Sequence, residues 1–130
     1  MAIDPSAPSP DVLEFLAERH LASLTLVRPD GTPHVTPVGF SYEPATKTAR
    51  IITWAASKKA RLTTAAALPA AVCQVDGGRW LTLSGTARCT SDPDVAADAV
   101  ARYAARYRPP KEREDRVVIE IAVDHIMGRA

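Results

Sequence analysis

Residues 49–61, ARIITWAASKKAR, join a strand pattern to a group of cations. The β-branched run IIT at residues 51–53 favours a pleated, half-buried strand. After a short turn, the cations Lys58, Lys59 and Arg61 open an alanine-rich segment that is typical of a helix. Free N–H groups and the positive end of the helix dipole both favour an anion at a helix start. The stretch therefore predicts an anion site at a strand-to-helix corner, with a solvated basic turn as the alternative.

Length and composition limit the class of protein. The 130 residues predict a single domain over residues 1–130, in which residues 1–8, rich in proline and alanine, form a flexible N-terminal arm. The formal net charge of +1 argues against nucleic acid as the main partner. No apolar run reaches the roughly 18 residues that a membrane span needs. Cys73 and Cys89 lie in apolar strand patterns and, without a signal-peptide pattern, predict buried, reduced thiols in a cytoplasmic protein.

Turn and cap signals divide the rest of the chain into short helices and strands. Ser9-Pro10-Asp11 and residues 91–94 are helix starts, and Asp-Gly pairs at 30–31 and 76–77 predict hairpins. Gly85, inside an apolar run, predicts a bulge or a close backbone approach. The predicted helices are 10–20, 58–67 and 95–107, and the predicted strands are 21–27, 33–42, 48–54, 70–75, 79–89 and 117–123, with 125–127 as an extension.

The order of these elements predicts a mainly β fold. Successive strands joined by tight turns pair antiparallel. Six or seven strands with only short helices between them favour a closed or split β-barrel, because closure removes open sheet edges. An open α+β sheet with helices on one face is the alternative.

Known catalytic and metal motifs are missing from the sequence. His20, His34 and His125 are scattered, and no HxxxH or CxxC spacing occurs, so a metal site is not expected. His34, on a predicted strand, is expected to be an ordinary surface histidine. No GxGxxG or GxxxxGK[ST] motif indicates a Rossmann or P-loop nucleotide site. The two tryptophans, Trp54 and Trp80, fit either core packing or stacking against a ligand.

Three segments carry a resemblance to a known family. They are residues 20–40, HLASLTLVRPDGTPHVTPVGF, residues 49–61, and residues 73–87, CQVDGGRWLTLSGTA. Together they resemble the flavin-reductase-like split β-barrels of the pyridoxamine-phosphate-oxidase type, in particular the branch that uses the deazaflavin coenzyme F420. The third segment is similar to the small deazaflavin-dependent biliverdin reductases of mycobacteria.

The resemblance implies a homodimer with two cofactor sites at the subunit interface. It also implies an oxidoreductase that passes a hydride from reduced F420 to a conjugated planar small-molecule substrate such as biliverdin, without a catalytic side chain. The matching cofactor-binding positions are Pro37, Val38, Thr53 and Trp54 beside the ring, Ser57, Lys58, Lys59 and Arg61 around the phosphate, and Arg79 and Trp80 closing the site from the other subunit. Leu62 stands where many relatives carry asparagine, which weakens the case for FMN.

Two other functions fit the same fold. One is an FMN-dependent oxidase or reductase, and the other is a non-catalytic carrier of the coenzyme or of a tetrapyrrole. A second basic group also has two interpretations: a solvated face, or a surface that binds a polyglutamyl cofactor tail or tetrapyrrole propionates. Its members are Arg102, Arg106, Arg108, Lys111, Arg113 and Arg116.

Overall fold

A computed structural model describes residues 2–130 and contains eight strands and three helices. The strands are β1 (Ala2–Ile3), β2 (Ala22–Val27), β3 (Pro33–Val38), β4 (Ser41–Glu43), β5 (Thr48–Trp54), β6 (Leu68–Asp76), β7 (Arg79–Thr90) and β8 (Arg116–Arg129). The helices are α1 (Pro10–Ala17), α2 (Lys58–Ala65) and α3 (Pro93–Arg106). Of the helices within residues 2–130, none is both long enough and apolar enough to cross a lipid bilayer.

All of the strands belong to one antiparallel sheet. Its order is β3-β2-β6-β7-β8-β5-β4, and β1 pairs with part of β8. The mainly β, antiparallel prediction is therefore confirmed. The pairing path has two ends, β3 and β4, so the sheet is not closed all the way round. Eight strands occur instead of six or seven because β1 adds to β8 and because the predicted strand 33–42 is interrupted.

The interruption of strand 33–42 lies at Gly39 and Phe40. A Cβ on Gly39 would lie 3.0 Å from the rings of both Tyr103 and Tyr107, so these rings pack directly against the glycine backbone. The Phe40 N–H donates to the Tyr107 hydroxyl over 3.2 Å instead of to a strand partner. Helix α3 therefore divides the predicted strand into β3 and β4.

Gly85 confirms the predicted bulge and close approach. The register between β7 and β8 shifts between Ser84 and Gly85. A Cβ on Gly85 would lie 1.8 Å from the carbonyl oxygen of Ala122, which is incompatible with any side chain in the present backbone. Both Asp-Gly pairs also lie in the turns of hairpins, with Gly31 and Gly77 at positive φ.

The N-terminal segment differs from the expected flexible arm. Ala2 and Ile3 pair with Met127 and Ile126 of β8. The hydroxyl of Tyr42 donates to the carbonyl of Pro5 over 2.5 Å. Main-chain pairing and a side-chain hydrogen bond thus connect residues 2–5 to the sheet, where the sequence analysis expects a flexible arm. Residue 1 lies outside the described residues.

One hydrophobic cluster fills the inside of the sheet. Phe15 of α1, Leu24 and Leu26 of β2, and Ile119 of β8 are fully buried in it. Helix α1 ends at Ala17, earlier than the predicted residue 20. The chain then continues in extended conformation, so that the carbonyl of Glu18 is available to the side chain of Arg106 from α3.

Candidate functional site

A cavity of about 310 Å³ opens where β3 and β5 end and α2 begins. Five of the ten predicted site residues line it: Pro37, Val38, Thr53, Trp54 and Lys59. The remaining walls are formed by Gly39, Ile51, Ile52 and Tyr103, and by Pro110, Lys111, Arg113 and Arg116 from the segment that follows α3. The end of β3 and the end of β5 thus meet at one opening.

The corner between β5 and α2 is built from two buried hydroxyls. The Ser57 oxygen caps α2 by accepting from the Ala60 N–H at 3.2 Å. It also accepts a 3.0 Å hydrogen bond from the Thr53 hydroxyl. Because the Ser57 side chain is only 5% exposed, these bonds define its main role: it joins the strand to the helix and fixes the direction of the helix start.

Only one of the three corner cations faces the cavity. Burial lowers the pKa of Lys59, and its Nζ lies 5.4 Å from the centre of the Trp54 ring. Lys58 is exposed next to the cavity. Arg61 instead lines a different cavity together with Cys89, because side chains two residues apart on a helix point in nearly opposite directions.

Three cations from the second basic group complete the cavity. They are Lys111, Arg113 and Arg116. The Arg116 guanidinium donates to the Lys111 carbonyl over 2.7 Å and to the Thr53 carbonyl over 3.5 Å, which holds the loop against the end of β5. The carbon Cζ of Arg113 lies 5.1 Å from the centre of the Trp54 ring, so Lys59 and Arg113 both contact this tryptophan.

The remaining arginines of that group lie elsewhere. Arg102 forms ion pairs with Asp98 and Glu43. Arg106 is the last residue of α3 and is buried, and Arg108 lines another cavity. The basic group therefore does not form one continuous face: part of it belongs to the site, and part of it is structural.

Arg79 and Trp80 do not line the cavity of a single chain. The Arg79 guanidinium forms ion pairs with Asp76 and, at 2.8 Å, with Glu18. Hydrogen bonds from Arg79 and then His20 lower the pKa of Glu18 to about 2. Trp80 pairs opposite Val75, on the outer face of the sheet. Glu18, His20 and Asp76 bring ligand atoms within 4.8 Å of one another, but Arg79 already donates to both carboxylates, so this cluster is an ion-pair network.

His34 and Thr36 are two polar residues of β3 whose partial burial was not predicted from the sequence. They alternate with Val38 on the inner face of β3, and His34 is half-buried instead of lying on the surface. Within residues 2–130, the buried Nδ1 of His34 and Oγ1 of Thr36 have no hydrogen-bond partner. Burial, followed by the positive charges of Arg28, Lys59 and Lys58, lowers the pKa of His34. His34 does not line the cavity, so its unpaired ring nitrogen lies inside the protein and not at the cavity wall.

The cavity is suited to an anionic, planar ligand. Four cations and the Trp54 ring line it, and no carboxylate or cysteine of residues 2–130 does. Cations provide charge-assisted hydrogen bonds to phosphate or carboxylate groups, and the aromatic ring provides a flat contact surface. The arrangement offers binding and placement of a ligand, without a paired acid and base for proton transfer.

Comparisons with known proteins identify the family of this chain. A family model described as "Pyridoxamine 5'-phosphate oxidase" matches residues 9–129. An F420H(2)-dependent biliverdin reductase of Mycobacterium tuberculosis (strain CDC 1551 / Oshkosh) is 49% identical over 122 residues, which cover 94% of this chain and 88% of that protein.

Solved structures share the fold. A conserved hypothetical protein of Mycobacterium tuberculosis superposes with a TM-score of 0.77 at 18% identity, covering 95% of this chain and 84% of that one. A structure named F420 Reductase superposes with a TM-score of 0.71 at 25% identity, and the match covers 93% of this chain and 98% of that one. The predicted split-barrel fold is thereby confirmed. Because the family model spans nearly the whole chain, the protein belongs to the pyridoxamine 5'-phosphate oxidase family.

Proposed function

We propose that the protein is an F420-dependent reductase that transfers a hydride from the reduced coenzyme to a conjugated planar acceptor such as biliverdin. The cationic cavity with its aromatic wall carries this proposal, because it fits a planar ring with an attached phosphate. The similarity to a biliverdin reductase that uses reduced F420 supports both the coenzyme and the acceptor. The F420 Reductase structure supports the coenzyme independently.

The coenzyme's phosphate is proposed to bind at the start of α2. Lys59 faces the cavity, and Lys58 with the unpaired N–H groups of the first helical turn can add further donors. The ring would then lie between the end of β3, at Pro37 and Val38, and Trp54. Leu62 packs against the hydrophobic core and presents no amide to the site, which favours F420 over FMN.

The protein contributes placement and electrostatic support to the proposed reaction. When bound, the reduced deazaflavin supplies the hydride from its central ring carbon, and a proton from solvent completes reduction of the acceptor. Lys59, Lys111 and Arg116 line the cavity and can balance negative charge on the ring and on the acceptor. No side chain is required to take or give a proton during this step.

Turnover should require the protein, reduced F420 and biliverdin together. With all three present, we expect the absorbance of oxidised F420 to rise while that of biliverdin falls in equal molar amount. Parallel titrations of the protein with F420 and with FMN test the coenzyme choice. Preferential FMN binding with a flavin spectrum would favour the FMN-dependent alternative, and binding of F420 and biliverdin without turnover would favour the carrier.

We also propose that the protein is a homodimer whose coenzyme sites lie at the subunit interface. The outer face of the sheet exposes apolar side chains on three strands: Val35 is 56% exposed, Val75 is 62% and Met127 is 39%. Trp80 lies on this same face, next to Val75. A second copy packed here would cover apolar surface and could bring its Trp80 towards the cavity, whereas Arg79 would first have to leave its ion pairs.

A charge on the outer face is expected to convert this dimer to monomers. Sedimentation velocity should give a dimer for the wild type and a monomer for Val75→Glu, because the substitution buries an unpaired carboxylate in the proposed interface. Leu13→Glu is the matched control: Leu13 is also exposed, but it lies on α1, away from this face. A monomeric wild type, or an unaffected Val75→Glu dimer, would contradict the proposed interface.

A cytoplasmic location is part of the same proposal. Cys73 and Cys89 are free, and Cys73 pairs opposite Thr82, seven residues along β7 from Cys89. At about 3.3 Å per residue, the two are too far apart for a disulfide. Free thiols are typical of a reducing compartment.

A further inference from the structure

A second cavity, of about 370 Å³, adjoins the proposed coenzyme cavity at Tyr103. Its lining residues are Arg19, Leu21, Tyr103, Tyr107 and Arg108. Tyr103 lines both cavities, so a group bound in the second one lies a single side chain away from the first. The second cavity is therefore placed to receive part of a molecule that reacts in the first.

The aromatic wall of this second cavity is fixed in position. The Tyr103 and Tyr107 rings pack against each other with centroids 4.8 Å apart, and both press on the Gly39 backbone. The Tyr107 hydroxyl donates to the His20 carbonyl over 2.7 Å and accepts from the Phe40 N–H, which orients its ring. A rigid aromatic surface loses little conformational entropy when a flat ligand packs on it.

Two guanidinium groups at this cavity have no carboxylate partner. Arg19 donates to the Tyr107 carbonyl over 2.6 Å, and within residues 2–130 neither Arg19 nor Arg108 forms an ion pair with an acid. Uncompensated guanidinium groups beside aromatic rings are complementary to a conjugated molecule that carries carboxylates.

We propose that the second cavity binds the carboxylate-bearing arms of the acceptor. Arg108 and Arg19 pair with the carboxylates, while Tyr103 and Tyr107 contact the apolar part of the same arms. The inference rests on the proposed function and narrows its substrate class to planar conjugated acids. Biliverdin, with two propionate side chains, has this chemistry, whereas its dimethyl ester has the same ring system without the negative charges.

Equilibrium dialysis of biliverdin and biliverdin dimethyl ester against the F420-loaded protein tests this assignment. The wild type should prefer the acid over the ester. Arg108→Gln should weaken binding of the acid by about threefold to tenfold, the range for a partly exposed charged hydrogen bond, and leave binding of the ester and of F420 unchanged. Arg108 is exposed, so this substitution leaves the core intact. Arg88→Gln, which removes an exposed arginine of β7 that lines neither cavity, is the matched control.

The outcomes separate the two proposals. The carboxylate site would be overturned if the wild type bound the acid and the ester equally well. It would also be overturned if Arg108→Gln weakened binding of both to the same extent. Either result would count whether or not the protein turns over biliverdin. If the protein preferred the acid through Arg108 but did not reduce it, the proposed reductase activity would be overturned and the carboxylate site would be supported. Absence of biliverdin binding by the wild type would overturn both.

Discussion

Replacing Arg106 by alanine is expected to lower the free energy of unfolding by about 3–5 kcal/mol. The guanidinium donates to three acceptors: the Glu18 carbonyl at 2.8 Å, the Phe40 carbonyl at 2.7 Å and Gln74 Oε1 at 2.7 Å. Gln74 is fully buried, and Arg106 is only 9% exposed. Alanine would leave these acceptors without a donor, and each unsatisfied buried group costs about 1–3 kcal/mol.

Urea unfolding with an unchanged slope should measure this loss. Arg102→Ala is the matched control, four residues earlier on the same helix, where the arginine makes exposed ion pairs with Asp98 and Glu43. Surface ion pairs contribute about 0–1 kcal/mol, so this control should lose far less stability. If the two variants lost the same stability, the three hydrogen bonds of Arg106 would not be what holds α3 to the sheet.

Replacing Lys59 by alanine is expected to weaken F420 binding by about 1.5–3 kcal/mol, or roughly tenfold to 150-fold in the dissociation constant. Among the cations at the start of α2, Lys59 is the one that lines the cavity. Its half-buried ammonium makes a stronger contribution to a phosphate than an exposed one would, because water screens it less.

A fluorescence titration with oxidised F420 measures this effect. Arg61→Ala removes the same charge from the same helix, but its side chain lines a different cavity, so its dissociation constant should stay close to that of the wild type. Lys59→Arg should retain most of the affinity. If Lys59→Ala bound F420 as tightly as Arg61→Ala, the phosphate would have to bind somewhere other than the start of α2.

The features that could be predicted from the sequence depend on residues close together in the chain. Asp-Gly pairs between apolar runs favour a tight turn, and Ser9 caps α1 by accepting a hydrogen bond from the N–H of Val12, three residues later. Gly85 predicts a bulge or a close backbone approach because a glycine inside a strand often marks one of these. The sequence does not identify Ala122 as the neighbouring residue.

The cavity residues that the sequence did not place at the site depend on pairing between strands that are far apart in the sequence. Lys111, Arg113 and Arg116 reach the site because β8 starts beside the end of β5, where Trp54 pairs with Arg116. No local pattern specifies that pairing across 62 residues. By contrast, helical geometry alone predicts that the side chains of Lys59 and Arg61 point in nearly opposite directions, because successive residues on a helix are rotated by about 100°.

The central position of β8 has a consequence for how the protein folds during synthesis. This strand pairs with β7, β5 and β1, so the residues of β1 find their partners only in β8, more than 100 residues later in the sequence. While the ribosome is still translating the C-terminal segment, β5 and β7 each lack a neighbour and expose their edges. The sheet can therefore be completed only after β8 has been synthesised, and until then the unpaired edges of β5 and β7 favour aggregation of the nascent chain.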